Sequence, residues 1–174
     1  MCIRDRCGNK CVVPGAGFLL NDEMDDFSTA PGALNQFGLP GSVPNEIEPR
    51  KRMVSSMVPT IIVRDGRPVV LLGSPGGSRI ITSVLQVLMH VLDRGVRIDS
   101  AVSRGRIHHQ WIPDTLYVEN GALPQRTVEA LSAMGHAVKS TGPFGRVEGI
   151  VYNTRSKRWE AASDPRGHGM AKGY

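Results

Sequence analysis

Two short apolar runs meet at Asp65-Gly66, and this arrangement constrains the fold more than any other feature of the sequence. Residues 60–63 and 69–72 are rich in Val, Ile and Leu, which favour strands. The Asp-Gly pair between them is typical of a type I′ turn, which joins neighbouring antiparallel strands. A second pair of apolar runs at 147–153 and 158–162 predicts another hairpin. A fold built from paired antiparallel strands is therefore expected.

Helices are predicted between and after these strand pairs. Residues 80–92 place apolar side chains on more than one face, with Ser78 available as N-cap and Gly95 beyond the last turn, so we expect a largely buried helix. Shorter helices are expected at 99–104 and 128–134, and extended chain at 106–119. Paired strands with helices between them favour a mixed α+β sandwich of layers over a parallel doubly wound sheet.

The chain has 174 residues, of which 40% are hydrophobic, and this is enough for one medium domain. Its 20 Gly and 12 Pro indicate many tight turns. No apolar run approaches the roughly 18–20 residues that cross a bilayer, and no export signal is recognisable. A short strand is expected at 17–20.

Charge is distributed unevenly along the chain. The formal net charge of +5 suggests an acidic partner, but the aromatic content is only 5% and no nucleic-acid-binding motif is present, so a nucleic-acid partner is not expected. Residues 11–49 hold six acids and no Lys or Arg, which indicates a site for a cationic ligand group. Cys2, Cys7 and Cys11 all fall within a patternless leader at 1–11, where a disordered or foreign segment is a better explanation than a zinc site.

The segment GSPGGS at 73–78 lies between a predicted strand and a predicted helix. Free backbone N–H groups and the helix dipole collect negative charge at such a junction, so it is a candidate anion or oxyanion site. It fits neither the Walker pattern nor GxGxxG. The alternative is a tight turn that lets helix and sheet approach each other.

Other polar residues allow more than one interpretation. The acidic turn at 21–26 fails the EF-hand pattern, because Phe27 and Ala33 stand at its sixth and twelfth positions, so it is either a solvated turn or an ammonium site. Ser55 and Ser56 are turn hydroxyls or donors to a carboxylate. The residues that follow the acidic turn, 29–49, lack helical or strand periodicity and predict a lid, a binding loop or a linker.

Two adjacent histidines lie in the predicted extended stretch 106–119. His108 and His109 are adjacent in an extended stretch and point to opposite faces, so they cannot readily share a metal, and structural or surface roles are expected. No metal site is predicted.

Several motifs, in this order along residues 12–174, resemble the C-terminal catalytic (small) subunit of the γ-glutamyltranspeptidases, also called glutathione hydrolases. They are LLNDEMDDFS, KRMVSSMVPTIIVRDG, GSPGGSRIIT, HHQWIPD and ASDPR with a terminal GY. The resemblance implies the αββα sandwich of the N-terminal nucleophile hydrolases, incomplete in this chain. It also implies an autoprocessed precursor in which a newly exposed N-terminal Thr attacks a γ-glutamyl amide, with its own α-amino group as base.

The resemblance assigns roles to the residues above. Glu23 and Asp26 would bind the α-ammonium of the donor, and Ser55 and Ser56 its α-carboxylate. The N–H groups of the glycine pair, Gly76 and Gly77, would bind the oxyanion on the other side of the same pocket. The lid loop would span about 29–49 and carry Phe37 where many bacterial relatives have a Tyr gate.

The nucleophilic Thr and a substrate-binding Arg of the large subunit are not found in this sequence. The expectation is therefore a truncated piece that is inactive alone and depends on the large subunit and on an upstream small-subunit segment. Implied substrates are glutathione and other γ-glutamyl compounds, with water, amino acids or peptides as acceptors, and no cofactor. The implied location is periplasmic or extracellular. A non-catalytic amino-acid-binding module and a cephalosporin acylase-like amidohydrolase stay open as alternatives.

Overall fold

The structure, a computed structural model, describes residues 10–173, which divide into one unit up to residue 58 and a second from residue 59. Cys2 and Cys7 of the leader and the terminal Tyr174 lie outside the described residues. In chain order the strands and helices are β1 (Thr60–Arg64), β2 (Arg67–Gly73), α1 (Arg79–Leu92), α2 (Ile98–Ser103), β3 (Ile107–His108), β4 (Leu116–Glu119), α3 (Gln125–Ala133), β5 (Val138–Thr141), β6 (Glu148–Asn153) and β7 (Arg158–Ala162).

The first unit consists of turns and loops in its described part. It has two 3₁₀ turns, Glu23–Asp26 and Val43–Asn45. The strand predicted at 17–20 is wrong, since only a single bridge between Val12 and Leu19 forms there. This short segment has no further strand to extend the pairing, and Phe18 and Leu20 stay exposed.

The second unit contains both predicted hairpins. Strands β1, β2, β6 and β7 form one antiparallel sheet in that order. At the first turn Asp65 has φ 51° and Gly66 has φ 72°, the two positive values that a type I′ turn requires. A register shift between Ile62 and Val63 adds a bulge to the first hairpin. The paired-strand prediction and the mixed α+β class are confirmed.

One face of this sheet packs against α1 and α2 to form the core. Buried members of the cluster are Val70, Leu72, Val84, Val87, Ile98, Ala101, Val102, Val147 and Ala162. Burying each of the larger aliphatic side chains contributes about 1.5–3 kcal/mol. At Gly149 a Cβ atom would lie 2.7 Å from both Ile98 Cδ1 and Leu72 Cδ2. Glycine is therefore needed there for α2 to approach β6 closely.

Helix α1 is less buried than its sequence predicts. Ser83, Val84 and Val87 are buried, but a stripe on the opposite side is exposed. This stripe consists of Ile81 (67% exposed), Leu85 (52%), Met89 (43%) and Leu92 (43%). One face of the helix therefore packs against the sheet. The second face is also apolar, and the described residues do not cover it.

The extended stretch 106–119 resolves into β3 and β4, which pair with β5 in a second sheet. Strand β5 is missing from the sequence-based assignment, and it pairs with β4 in parallel across the intervening α3. Its sequence VKST has one aliphatic residue and no alternation, so the periodicity gives no signal. Helix α3 begins earlier than expected, directly after Pro124. Gly135, with φ 96°, follows its end as predicted.

The second face of the four-stranded sheet is apolar and exposed. Ile61 of β1 is 56% exposed and Ile150 of β6 is 42% exposed, and both are aligned with Leu71 of β2. An open apolar sheet face is what one half of a sheet-on-sheet sandwich presents. Among the described residues, none of the helices is long and apolar enough to cross a bilayer.

Candidate active site

The glycine loop, residues 73–78, connects β2 to α1 in a conformation that only glycine adopts easily. Gly76 has φ 142° and Gly77 has φ 54°. The carbonyl oxygens of these two residues accept hydrogen bonds from Arg79 N at 3.0 Å and Ile80 N at 3.1 Å. Within residues 10–173, neither glycine N–H donates to a protein acceptor. Two backbone donors at the start of a helix are thus available to an anion.

Neighbouring contacts hold this loop from the side of β6. The hydroxyl of Ser74 donates to Pro75 O at 2.7 Å and accepts from Arg146 N at 3.2 Å. The guanidinium of Arg79 lies 4.9 Å from the ring centre of Phe144 and 5.5 Å from that of Tyr117. The loop is therefore fixed in place, with a cation beside it that favours negative charge.

The two histidines take the structural and surface roles that the sequence predicts. His108 is 2% exposed, and its ring lies 2.8 Å from Thr82 Oγ1 through Nδ1 and 2.8 Å from Gln110 Oε1 through Nε2. His109 is exposed and pairs with Asp114 at 2.8 Å. Ser78, predicted as an N-cap, makes no cap hydrogen bond, because its hydroxyl donates to Gln110 Oε1 instead.

A pH dependence of stability follows from His108. Burial lowers its pKa, with a smaller contribution from the charge of Arg79 and despite the hydrogen bond to Gln110. The unfolded chain therefore binds a proton more readily than the folded one. We expect stability to fall as the pH drops below about 6.5, the unfolded value, until the folded pKa is passed.

Urea denaturation between pH 7.5 and 5 measures this loss. A His108→Gln variant should show a flatter profile than the parent. Because His90 also has a pKa lowered by burial, the His90→Gln variant is the comparison. If the His108→Gln profile falls as steeply as that of the parent, His108 does not carry the effect.

The acidic turn lies in the first unit. Two of its acids are engaged by the loop that follows: Gln36 N donates to Asp25 Oδ2 at 3.3 Å and Gln36 Nε2 to Asp22 Oδ2 at 3.1 Å. Glu23 and Asp26, the two acids predicted to bind an ammonium group, are half-buried. The turn is therefore a partly shielded cluster of acids rather than a fully solvated one.

Asn45 joins two predicted binding segments and was missed in the sequence analysis. Its Nδ2 donates to Asp26 O at 2.6 Å, and its Oδ1 accepts from Val54 N at 3.0 Å. Asn45 thereby links the segment that contains Asp26 to the segment that leads into Ser55 and Ser56. The only sequence signal was an Asn after Pro44, which is too common to single out.

The segment 29–49 is compact, not structureless. A bridge joins Ser28 to Glu46, and Ser42 N donates to Ser28 Oγ at 2.8 Å, so the two ends of the loop meet. Phe37 is half-buried, and its N–H donates to Asn35 Oδ1 at 2.9 Å. These contacts give a compact loop whose two ends are joined. Its role as a lid stays a prediction.

A buried ion network links the end of β4 with residues beside β3 and after β7, and it was not recognised from the sequence. Arg106 and Asp164 are each 1% exposed, and Arg106 donates to Asp164 Oδ2 at 2.5 Å. Arg166 pairs with both Asp164 and Glu119. Burial raises the pKa of the Asp164 carboxyl, but the N–H groups of Arg166 and Val147 and the Arg106 guanidinium outweigh it, so the pKa lies below its ordinary value.

The predicted site residues thus fall into two groups. Glu23, Asp26, Phe37, Ser55 and Ser56 belong to the first unit, and Gly76 and Gly77 belong to the second. Within the described residues there is no cluster of three or more His, Cys, Asp or Glu side chains suited to a metal ion. Carboxylates can bind an ammonium group and backbone N–H groups can bind an oxyanion, and these roles of the site residues stay predictions.

Comparison with known proteins gives consistent matches over nearly the whole chain. The sequence profile of the family described as Gamma-glutamyltranspeptidase matches residues 2–174, a range that includes most of the predicted leader. The glutathione hydrolase proenzyme of Pseudomonas aeruginosa is 49% identical over 166 residues, which are 94% of this chain and 29% of that protein. This chain therefore spans about 29% of the length of that relative.

Two solved structures are similar as well. The γ-glutamyltranspeptidase of Pseudomonas nitroreducens complexed with L-DON has a TM-score of 0.88 at 48% identity, covering 97% of this chain and 88% of that one. A mutant of the Helicobacter pylori γ-glutamyltranspeptidase has a TM-score of 0.87 at 42% identity, covering 94% and 89%.

The fold is that of an N-terminal nucleophile hydrolase, as the resemblance implied. The glycine loop at the start of α1 and the acidic turn occur within the matched range. The chain belongs to the γ-glutamyltranspeptidase family.

Proposed function

We propose that this chain supplies the donor-binding and oxyanion-binding residues of a γ-glutamyltransferase and glutathione hydrolase. The observation that supports the proposal most directly is the glycine pair, whose N–H groups have no protein acceptor in the described part of the chain. When an amide carbonyl becomes tetrahedral, its oxygen gains negative charge, and two backbone donors stabilise that oxyanion. Gly76 and Gly77 are the residues with this capacity.

In the proposed reaction, the acids of the first unit select the donor. Glu23 and Asp26 bind the α-ammonium of a γ-glutamyl group, and Ser55 and Ser56 bind its α-carboxylate. The nucleophilic Thr comes from polypeptide upstream of this chain, as does the large subunit. Its attack on the γ-carbonyl carbon forms a γ-glutamyl ester and releases the amine, and water or the amino group of an amino acid or peptide then takes the glutamyl group.

Glutathione and other γ-glutamyl compounds are the proposed substrates, and the proposed location is periplasmic or extracellular. A cephalosporin acylase-like amidohydrolase would use the same kind of oxyanion donors. The half-buried acids Glu23 and Asp26 favour a donor with an ammonium group instead. A non-catalytic amino-acid-binding module would keep the acids but would not need the glycine pair.

Turnover of a γ-glutamyl anilide tests the proposal. The purified 174-residue chain should give no turnover alone, whereas a longer protein that adds the upstream segment should release the aniline. Turnover by the chain alone would contradict the assignment of the nucleophile. Absence of turnover from the longer protein, after it has been shown to fold, would contradict the enzymatic function.

Neutralising the proposed ammonium site should weaken donor binding. In the longer protein, Glu23→Gln and Asp26→Asn each remove one charged acceptor, and a charged hydrogen bond contributes about 1.5–3 kcal/mol, so KM for the donor should rise about 10–100-fold. The matched control is Asp25→Asn in the same turn, whose carboxylate accepts from Gln36 N instead. An equal rise in KM for Asp25→Asn would mean that only the general negative charge matters.

A further inference from the structure

The glycine loop is connected to β3 by a chain of hydrogen bonds that the proposed reaction does not use. Ser78, the residue after Gly77, donates its hydroxyl proton to Gln110 Oε1. The same oxygen is 2.8 Å from His108 Nε2, and His108 Nδ1 is 2.8 Å from Thr82 Oγ1. Ser78 directly precedes α1 and Thr82 lies in its first turn, so this series of hydrogen bonds starts at the N-terminal end of the helix and returns to it one turn later.

The hydrogen-bond partners determine which group donates and which accepts at each step of this series. Gln110 Nε2 donates to Ile112 O at 2.9 Å, which identifies the other amide atom as the oxygen. An oxygen can only accept, so Ser78 donates its hydroxyl proton to it and His108 donates its Nε2–H. Nδ1 of a neutral ring then accepts the hydroxyl proton of Thr82 at 2.8 Å, a shorter contact than that of the same hydroxyl with Arg79 O at 3.3 Å. The ring is neutral at neutral pH because burial lowers its pKa.

Contacts of β3 with α1 and Phe144 hold this series of hydrogen bonds in place. His108 lies in β3, which is tied to α1 by Gln86: Gln86 Nε2 donates to Ile107 O at 2.8 Å, and its Oε1 accepts from Ile107 N at 3.0 Å. The ring of His108 also lies edge-on to Phe144, with ring centres 6.2 Å apart. Gln110 is therefore hydrogen-bonded to the His108 side chain, whose position is fixed by β3.

Serine at the start of a helix normally accepts a hydrogen bond from the first turn. Ser78 makes no such bond, and its hydroxyl faces Gln110. We propose that Gln110 is a positioning residue, which acts through Ser78 to hold the N–H groups of Gly76 and Gly77 in place. The inference rests on the proposed function, since it concerns the geometry of the same oxyanion donors.

Kinetics of the longer protein test this role. Gln110→Leu removes the acceptor of Ser78 and should lower kcat for a γ-glutamyl anilide about 10–100-fold, with KM within about twofold, because oxyanion donors act in the transition state and an ångström of misplacement costs about this much. Ser78→Ala should do the same, and the double variant should be no slower than either single one. The control, Gln125→Leu, removes an exposed amide on α3 and should leave both constants unchanged.

A kcat for Gln110→Leu within twofold of the parent, or additive effects of the two substitutions, would overturn the inference. A parallel rise in KM would mean that Gln110 acts on donor binding instead.

A second measurement does not depend on turnover. In the ¹⁵N-labelled 174-residue chain, His108 should show Nε2 protonated and Nδ1 unprotonated at pH 7.5, and the amide signals of Gly76 and Gly77 should move in Gln110→Leu but not in Gln125→Leu. Amide signals that stay in place in Gln110→Leu would overturn the inference even if the enzyme is active. If the longer protein proves inactive but these signals move, the proposed function fails and the positioning role stands.

Discussion

Replacing Arg106 by Met is expected to destabilise the unit beginning at residue 59 by about 3–5 kcal/mol, because it leaves the Asp164 carboxylate buried without its main cation. Arg106 is 1% exposed and donates to Asp164 Oδ2, Val102 O and Phe144 O. Methionine fills a similar volume but can donate to none of these acceptors. The loss is a large fraction of the 5–15 kcal/mol that stabilises a typical domain.

Urea denaturation of the parent and variant chains measures this effect. The matched control is Arg97→Met, which breaks an ion pair with Asp99 in which both side chains are more than half exposed, at 74% and 53%. Water takes over the released groups there, so stability should hardly change. Equal unfolding midpoints for the Arg106→Met and Arg97→Met chains would show that burial does not govern the network.

The reason for the large effect is that this network connects distant parts of the chain. Asp164 Oδ2 also accepts from Val147 N at 2.9 Å, and Glu119 Oε1 accepts from Phe144 N at 2.8 Å. The segment between Phe144 and Val147 includes Arg146, whose N–H donates to Ser74 in the glycine loop. The ion network therefore stabilises the same part of the fold that supports the candidate oxyanion site.

Features set by neighbouring residues were predictable from the sequence. The turn at Asp65-Gly66 requires two positive φ angles that this pair tolerates, so the hairpin and its turn type were predicted correctly. The short helix predicted at 99–104 forms as Ile98–Ser103, within one residue of the expected bounds. In each of these cases the signal is contained in a few adjacent residues.

Features set by distant residues were not predictable in this way. Strand β5 exists because β4 offers a parallel edge, with Val138 opposite Leu116, and its own sequence carries little pattern. The hydroxyl of Ser78 is directed by Gln110, which is 32 residues away. The exposed stripe of α1 appeared to be core for a related reason, since apolar spacing identifies a face but not what covers it.

Replacing Gly76 by Ala should lower kcat of the longer protein about 100–1000-fold, the effect of losing an oxyanion donor, while KM for the donor changes little. The cause is the backbone and not crowding, because a Cβ atom at Gly76 would meet Arg79 Cβ and Ile80 N at 3.7 Å, an ordinary contact distance. The φ angle of 142° is the obstacle, since side chains other than that of glycine rarely adopt it. An alanine there forces the loop to change shape and moves the Gly76 and Gly77 N–H groups.

Gly73, at the start of the same loop, provides a close control for this experiment. At Gly73 an added Cβ would meet nothing within 4 Å, and the backbone is not in the left-handed region, so Gly73→Ala should keep kcat within about threefold of the parent. Both variants add one methyl group to the same loop, and they differ in the φ angle they require. If both variants retain full activity, the loop tolerates displacement and the oxyanion donors lie elsewhere; if both lose it equally, the loss reflects the added methyl group rather than the torsion at Gly76.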